Sequence, residues 1–121
     1  IVGEQFWRPY CHVEDLARSV VHVIESDPEK VAYDVFNVGD TTENYTKKML
    51  ADEMQRQIPE ATIKYVKKDE DPRDYRVDFS KIKKTLGFQI TKTVPEGIGQ
   101  IKKVVQEGFL SNPDDQKYRN S

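Results

Sequence analysis

A proline-containing aromatic stretch runs without a break into a helical repeat, and that junction limits the folds open to this chain. In Phe6-Trp7-Arg8-Pro9-Tyr10-Cys11-His12-Val13 the proline holds Arg8 extended, which suits an edge or loop strand. From Glu14 onward Leu16, Ala17, Val20, Val21, Val23 and Ile24 recur at helical spacing. Glu14 and Asp15 sit in the first turn, where carboxylates favour the helix dipole. The pattern predicts an amphipathic helix over 14–25, ended by Ser26-Asp27-Pro28.

The same alternation continues downstream. Tyr33, Val35, Phe36 and Val38 predict a buried strand over 33–38, closed by Gly39-Asp40. A helix over 46–57 follows, its inner face built on Met49, Leu50 and Met54, and then a strand over 62–66. Residues 67–73 are too charged and too proline-interrupted for anything but a loop, and 75–77 extend briefly. Asp78 is placed to cap a short helix over 80–86 that stops at Gly87. Thr93-Val94-Pro95-Glu96 forms a capping box with proline in the first turn. It opens a helix over 94–108 with Ile98, Ile101, Val104 and Val105 inward and Gly108 at its end. Alternating strands and helices without a repeat predict a mixed α/β (α+β) domain over 1–110 and a flexible polar tail over 111–121.

Composition narrows the function. The 121 residues are 36% hydrophobic and 33% charged, so the core is lean, but six Tyr, five Phe and one Trp supply bulk that disordered chains lack. A net charge of -2 gives no case for binding nucleic acid or an anionic membrane surface. No apolar run approaches the roughly 20 residues of a membrane span. Ile1-Val2-Gly3-Glu4 lacks signal-peptide features, and Cys11 has no internal partner, so a cytoplasmic location is expected. Without a secretory signal the Asn44-Tyr45-Thr46 sequon is coincidental. The start on Ile1, with no initiator Met, reads as a piece of a longer polypeptide.

Few residues invite chemistry. Cys11 beside His12 suggests an activated thiolate, but neighbours on an extended segment point to opposite faces, so a packed Cys and a structurally bonded His are expected. One Cys with His12 and His22 makes no tetrahedral zinc set. Lys64, Lys67 and Lys68 with Arg73 and Arg76 could form a phosphate patch, but interleaved Asp69, Glu70, Asp71 and Asp74 favour a solvated loop. Arg8, between Trp7 and Pro9, is either preorganised for a bidentate phosphate or carboxylate contact or stacked on its aromatic neighbours.

Four segments carry a resemblance. Arg8-Pro9-Tyr10-Cys11-His12-Val13-Glu14-Asp15-Leu16-Ala17 resembles the R-x-Y-x-H-V-x-D-x-A segment of the extended short-chain dehydrogenase/reductase family, the NAD-dependent epimerases and dehydratases of nucleotide sugars. Val35-Phe36-Asn37-Val38-Gly39 resembles its F-N-[VI]-G strand end. Asp78-Phe79-Ser80-Lys81-Ile82 with Leu86-Gly87-Phe88 resembles its D-x-S-K-A … L-G-[FWY] stretch, and Glu96-Gly97-Ile98 its closing helix. The resemblance implies the C-terminal, substrate-binding portion of such a Rossmann-type enzyme, acting on a nucleotide-diphosphate sugar. Arg8, Tyr10 and Asn37 match its diphosphate ligands. Lys68 and Asp71 stand in its R-x-G-[DH] phosphate and ribose motif, where Lys68 replaces the arginine or Arg73 takes over its task.

The resemblance also implies NAD or NADP, and the N-terminal Rossmann half as partner. This chain carries neither the Gly-rich turn nor a Tyr-x-x-x-Lys pair, so by itself it is expected to bind no cofactor and to catalyse nothing. A free-standing binding or interaction module with the same fold is the alternative. In either case the 33–38 strand, deprived of a neighbour, would expose apolar surface and favour self-association.

Overall fold

In the computed structural model, which describes residues 1–67 and 73–118, helix α1 spans Val13–Glu25 and packs its polar stripe inward. His12 caps it, accepting the Glu14 N–H on Nδ1 at 3.1 Å. Asp15, Arg18, Ser19 and His22 share one helix face. Asp15 is wholly buried and accepts from Thr91 N–H and Oγ1–H and from Lys92 N–H at 2.8–3.0 Å. Arg18 donates to Asp15 at 2.7 Å and lies 5.5 Å over the Phe88 ring. His22 Nε2 donates to the Leu86 carbonyl at 2.6 Å and meets Phe88 edge-on. The apolar stripe is left out: Leu16, Val20, Val21 and Ile24 are 49–76% exposed.

A short α2 (Pro28–Val31) follows, its first turn capped by Asp27. The expected strand over 33–38 is absent, because among the described residues nothing lies alongside to complete a ladder. The segment is instead tethered by Lys81, whose Nζ donates to Asp34 and to the Val35 carbonyl and sits over the Phe36 ring. The expected strand over 62–66 also forms no ladder and is held through Ile1, whose carbonyl accepts the Val66 N–H at 2.8 Å.

Two three-residue strands do pair. β1 (Trp7–Pro9) and β2 (Asn44–Thr46) run antiparallel, with Arg8 opposite Tyr45. On the other edge of β1, Tyr75 N–H donates to the Trp7 carbonyl at 3.3 Å and Asp74 Oδ1 accepts the Trp7 N–H at 2.8 Å. The β1–β2 ladder and the helices make the chain a mixed α/β structure.

Helix α3 (Lys47–Gln57) is capped by Thr46, and α4 (Ser80–Leu86) ends on Gly87 in the left-handed conformation at φ 66°. Asp78 accepts the first N–H of α4, from Ser80, at 2.7 Å. Helix α5 (Val94–Gln106) opens on the Thr93–Glu96 capping box. The core gathers Ala51, Phe79, Ile82 and Phe88, each at most 6% exposed. The inner faces expected of α3 and α5 stay open, with Met49, Met54, Ile101, Val104 and Val105 at 38–67% exposure. Each of these helices is packed on one side only. They join through the Gln57 side chain, which donates to the Pro95 carbonyl, and through Lys102, which donates to the Gln57 carbonyl.

Gly39 links two of the sequence motifs. A Cβ built there would lie 2.8 Å from the ring of Phe79, itself buried in the core. Gly39→Ala should therefore cost about 1–3 kcal/mol of overpacking, read as a lower urea midpoint at unchanged slope.

Candidate functional site

Side chains alternate along extended backbone, so Arg8 of β1 and Tyr10 just beyond it share one face and Trp7 takes the other. On the first face one guanidinium lies against a tyrosine ring, with two further tyrosines nearby. Arg8 lies 5.1 Å over the Tyr75 ring, Tyr45 faces it across the ladder, and Tyr10 meets Tyr45 edge-on at 6.4 Å. Arg8 Nη1 donates to the Trp7 carbonyl at 2.8 Å, and among the described residues no carboxylate pairs with Arg8. Half of the alternative posed by the sequence is thus met: Arg8 is stacked, though on distant Tyr75 rather than on its neighbours.

The electrostatics of this face come from Arg8 and from the acidic side chains of Glu43 and Glu53. Burial raises the Tyr10 hydroxyl above its ordinary value, and Arg8 opposes that shift. Tyr45 is pushed up to about 12 by burial and by hydrogen bonding to Glu43. Glu43 is itself buried, and its Oε2 accepts the Val94 N–H at 2.9 Å. Both phenols are therefore neutral donors at pH 7. A polyanion approaching Arg8 would meet a guanidinium and hydroxyl groups.

The opposite face carries a second stack, Arg76 at 4.9 Å over the Trp7 ring, beside a cleft of about 370 Å³ lined by Trp7, Thr41, Asn44 and Arg76. Asn44 is committed to structure. Its Nδ2 donates to the Thr41 and Val77 carbonyls and its Oδ1 accepts the Val77 N–H, all at 2.9 Å, so a glycan on that nitrogen would break the packing of 77–79.

The remaining candidates are placed unevenly. Asn37 is exposed, and no hydrogen bond among the described residues joins it to Arg8 or Tyr10. Lys68 and Asp71 lie outside the described residues. Arg73 is exposed, two positions before Tyr75. Sequence reasoning missed Tyr75, Tyr45 and Glu43, which reach Arg8 and Tyr10 only through the β1–β2 register and the docking of 74–75. A three-residue β2 leaves no periodic signal from which to read that register.

Cys11 is exposed, not packed as expected, and its thiol is raised by burial of part of its surface and by the Asp15 charge. His12 is bonded at both nitrogens, Nδ1 to Glu14 N–H and Nε2 to Gln100 Oε1 at 2.7 Å, so it has no nitrogen left to activate that thiol. Beside them an apolar cavity of about 260 Å³, floored by Leu50, Met54, Ile98 and Ile101, opens toward a second of about 340 Å³ between α3 and α5. Among the described residues no group of His, Cys, Asp and Glu is placed to hold a metal, and no helix is long and apolar enough to cross a membrane.

No family model matches the chain. Its fold is similar to that of L-threonine dehydrogenase from Clostridium difficile, with a TM-score of 0.71 at 20% identity over 88% of this chain and 35% of that one. A partial consensus L-threonine 3-dehydrogenase gives 0.69 at 16% identity, over 84% and 34%. The chain thus has the mixed α/β fold of part of a dehydrogenase and spans about a third of the length of these structures.

Proposed function

We propose that the chain is the substrate-holding part of an NAD(P)-dependent enzyme of the extended short-chain dehydrogenase/reductase type, and that it holds a nucleotide-diphosphate sugar on the Arg8 face. The observation that carries this is the Arg8 guanidinium, fixed over Tyr75, free of a carboxylate among the described residues and flanked by the neutral hydroxyl of Tyr10. A diphosphate needs such a fork of N–H donors in a partly desolvated setting. Asn37, Lys68, Asp71 and Arg73 complete the proposed ligand set.

The cofactor belongs to another part of the polypeptide. This chain's nearest approach to a Gly-rich turn, Gly97-Ile98-Gly99, lies inside α5 rather than between a strand and a helix, and no Tyr is followed by Lys four positions on. No step of hydride transfer is assigned to these residues. The N-terminal nucleotide-binding half covers the exposed apolar stripe of α1 and gives the 33–38 segment the strand neighbour it lacks. The enzyme would act on carbohydrate nucleotides in the cytoplasm.

Incubating the full-length protein with NAD or NADP and a panel of nucleotide sugars should yield a new sugar product by chromatography. Conversion of L-threonine with reduction of the cofactor, and of no nucleotide sugar, would overturn the assignment. Residues 1–121 alone, with Leu16, Val20, Val21 and Ile24 exposed, should self-associate. Sedimentation should show species heavier than 14.1 kDa, and a single monomer at high concentration would count against an uncovered face.

A further inference from the structure

We infer that Tyr75 is a positioning residue for Arg8, and that residues 74–76 clamp β1 so that the guanidinium is presented to its ligand in one orientation. The inference rests on the nucleotide-diphosphate assignment above. Three consecutive residues grip the strand in three ways. Asp74 takes the Trp7 N–H at 2.8 Å, the Tyr75 ring lies 5.1 Å from the Arg8 guanidinium carbon, and Arg76 lies 4.9 Å over the Trp7 ring. Alternation puts the side chains of Tyr75 and Arg76 on opposite faces, as it does those of Trp7 and Arg8. The two stacks therefore hold both faces of β1 at once.

The consequence falls on the guanidinium. The Tyr75 ring, its centroid 5.1 Å from the guanidinium carbon, and the bond from Nη1 to the Trp7 carbonyl at 2.8 Å together restrain where the group can sit. Among the described residues its other N–H groups meet no carboxylate and remain for a ligand. An unrestrained surface arginine would lose its rotamer freedom on taking an anion, whereas this one has lost it beforehand. Tyr75 is suited to this task because it is itself 45% exposed, so shortening it opens no hole in the core.

The test uses the full-length protein and its variants Tyr75→Leu, Tyr75→Phe, Arg8→Ala and the Arg8→Ala/Tyr75→Leu pair. UDP-glucose, GDP-mannose, CDP-glucose and dTDP-glucose are titrated calorimetrically and the tightest is carried through the series. Tyr75→Leu should weaken binding roughly 3- to 10-fold. Tyr75→Phe should bind like the parent, and Tyr75→Leu should add nothing once Arg8 is alanine. The inference is overturned if Tyr75→Leu binds normally while Arg8→Ala is weak, if Tyr75→Phe is as weak as Tyr75→Leu, or if the loss from Tyr75→Leu persists without Arg8. If no probe binds, or Arg8→Ala binds normally, the diphosphate assignment itself fails and the clamp fails with it.

Discussion

Replacing Arg8 by alanine in the full-length protein is expected to raise the dissociation constant of a nucleotide-diphosphate sugar by about 10- to 100-fold and to leave cofactor binding unchanged. The magnitude follows from a charge-assisted, bidentate contact, worth roughly 1.5–3 kcal/mol when partly desolvated. Arg8→Lys should recover only part of the loss, because an ammonium supplies charge without the planar fork. A purely structural Arg8 makes the opposite forecast. Its stack on Tyr75 and its bond to the Trp7 carbonyl would then matter only to the fold, lowering the melting temperature with affinity unchanged. Measuring both quantities on one variant separates the two.

The largest expected effect on stability lies at Asp15. Its carboxylate takes the Thr91 and Lys92 N–H groups and the Thr91 hydroxyl, and pairs with Arg18, while wholly buried. Asp15→Ala leaves those donors without an acceptor and should cost about 3–5 kcal/mol. Asp15→Asn keeps the shape but surrenders the charge and one acceptor oxygen, and should lose a large part of the same energy. The pH dependence follows in sign. Burial alone would raise the Asp15 carboxyl, but the Lys92 and Thr91 donors outweigh it and hold the group below its ordinary value. A carboxylate whose pKa is lower folded than unfolded contributes fully above the unfolded value of about 3.9, and the contribution fades as pH falls through the folded value. Urea denaturation between pH 6 and the acid limit, taken at about one-unit steps, should show a fall in stability in the parent that is shallower in Asp15→Asn. Equal slopes would show that Asp15 carries little of the acid sensitivity.

What could be read from the residues was what is local. Thr46, Asp78, Gly87 and the Thr93–Glu96 pair mark helix ends through bonds that span only a few positions, and each does so in the structure. Helix α1 was legible as a helix but not in its facing. Its apolar stripe and its Asp15–Arg18–Ser19–His22 stripe have similar periodicity, and the choice between them depends on what the rest of the chain offers. Here residues 86–92 offer carbonyls, N–H groups and the Phe88 ring, so the polar stripe is taken in. The 33–38 segment has strand composition, yet a strand exists only with a neighbour to complete its ladder.

The site divides the same way. Arg8 could be picked out because a proline stiffens its segment, and Tyr10 only because the R-x-Y resemblance points to it. Tyr75 could not, since its place under Arg8 depends on a strand edge 67 residues away in sequence, reached through the Asp74 bond to Trp7. Gly39 became intelligible only with Phe79 against it. Contacts of that separation leave no periodic trace in the chain.

A chain built around the Arg8 face should recognise a diphosphate joined to a nucleoside and a sugar. Calorimetric titration of the full-length protein with nucleotide-diphosphate sugars, the matching nucleoside monophosphates and L-threonine tests it most directly. At least one nucleotide-diphosphate sugar should bind, at least about tenfold more tightly than its monophosphate, and that preference should vanish in Arg8→Ala. Saturable binding of L-threonine together with indifference to every nucleotide sugar would contradict it.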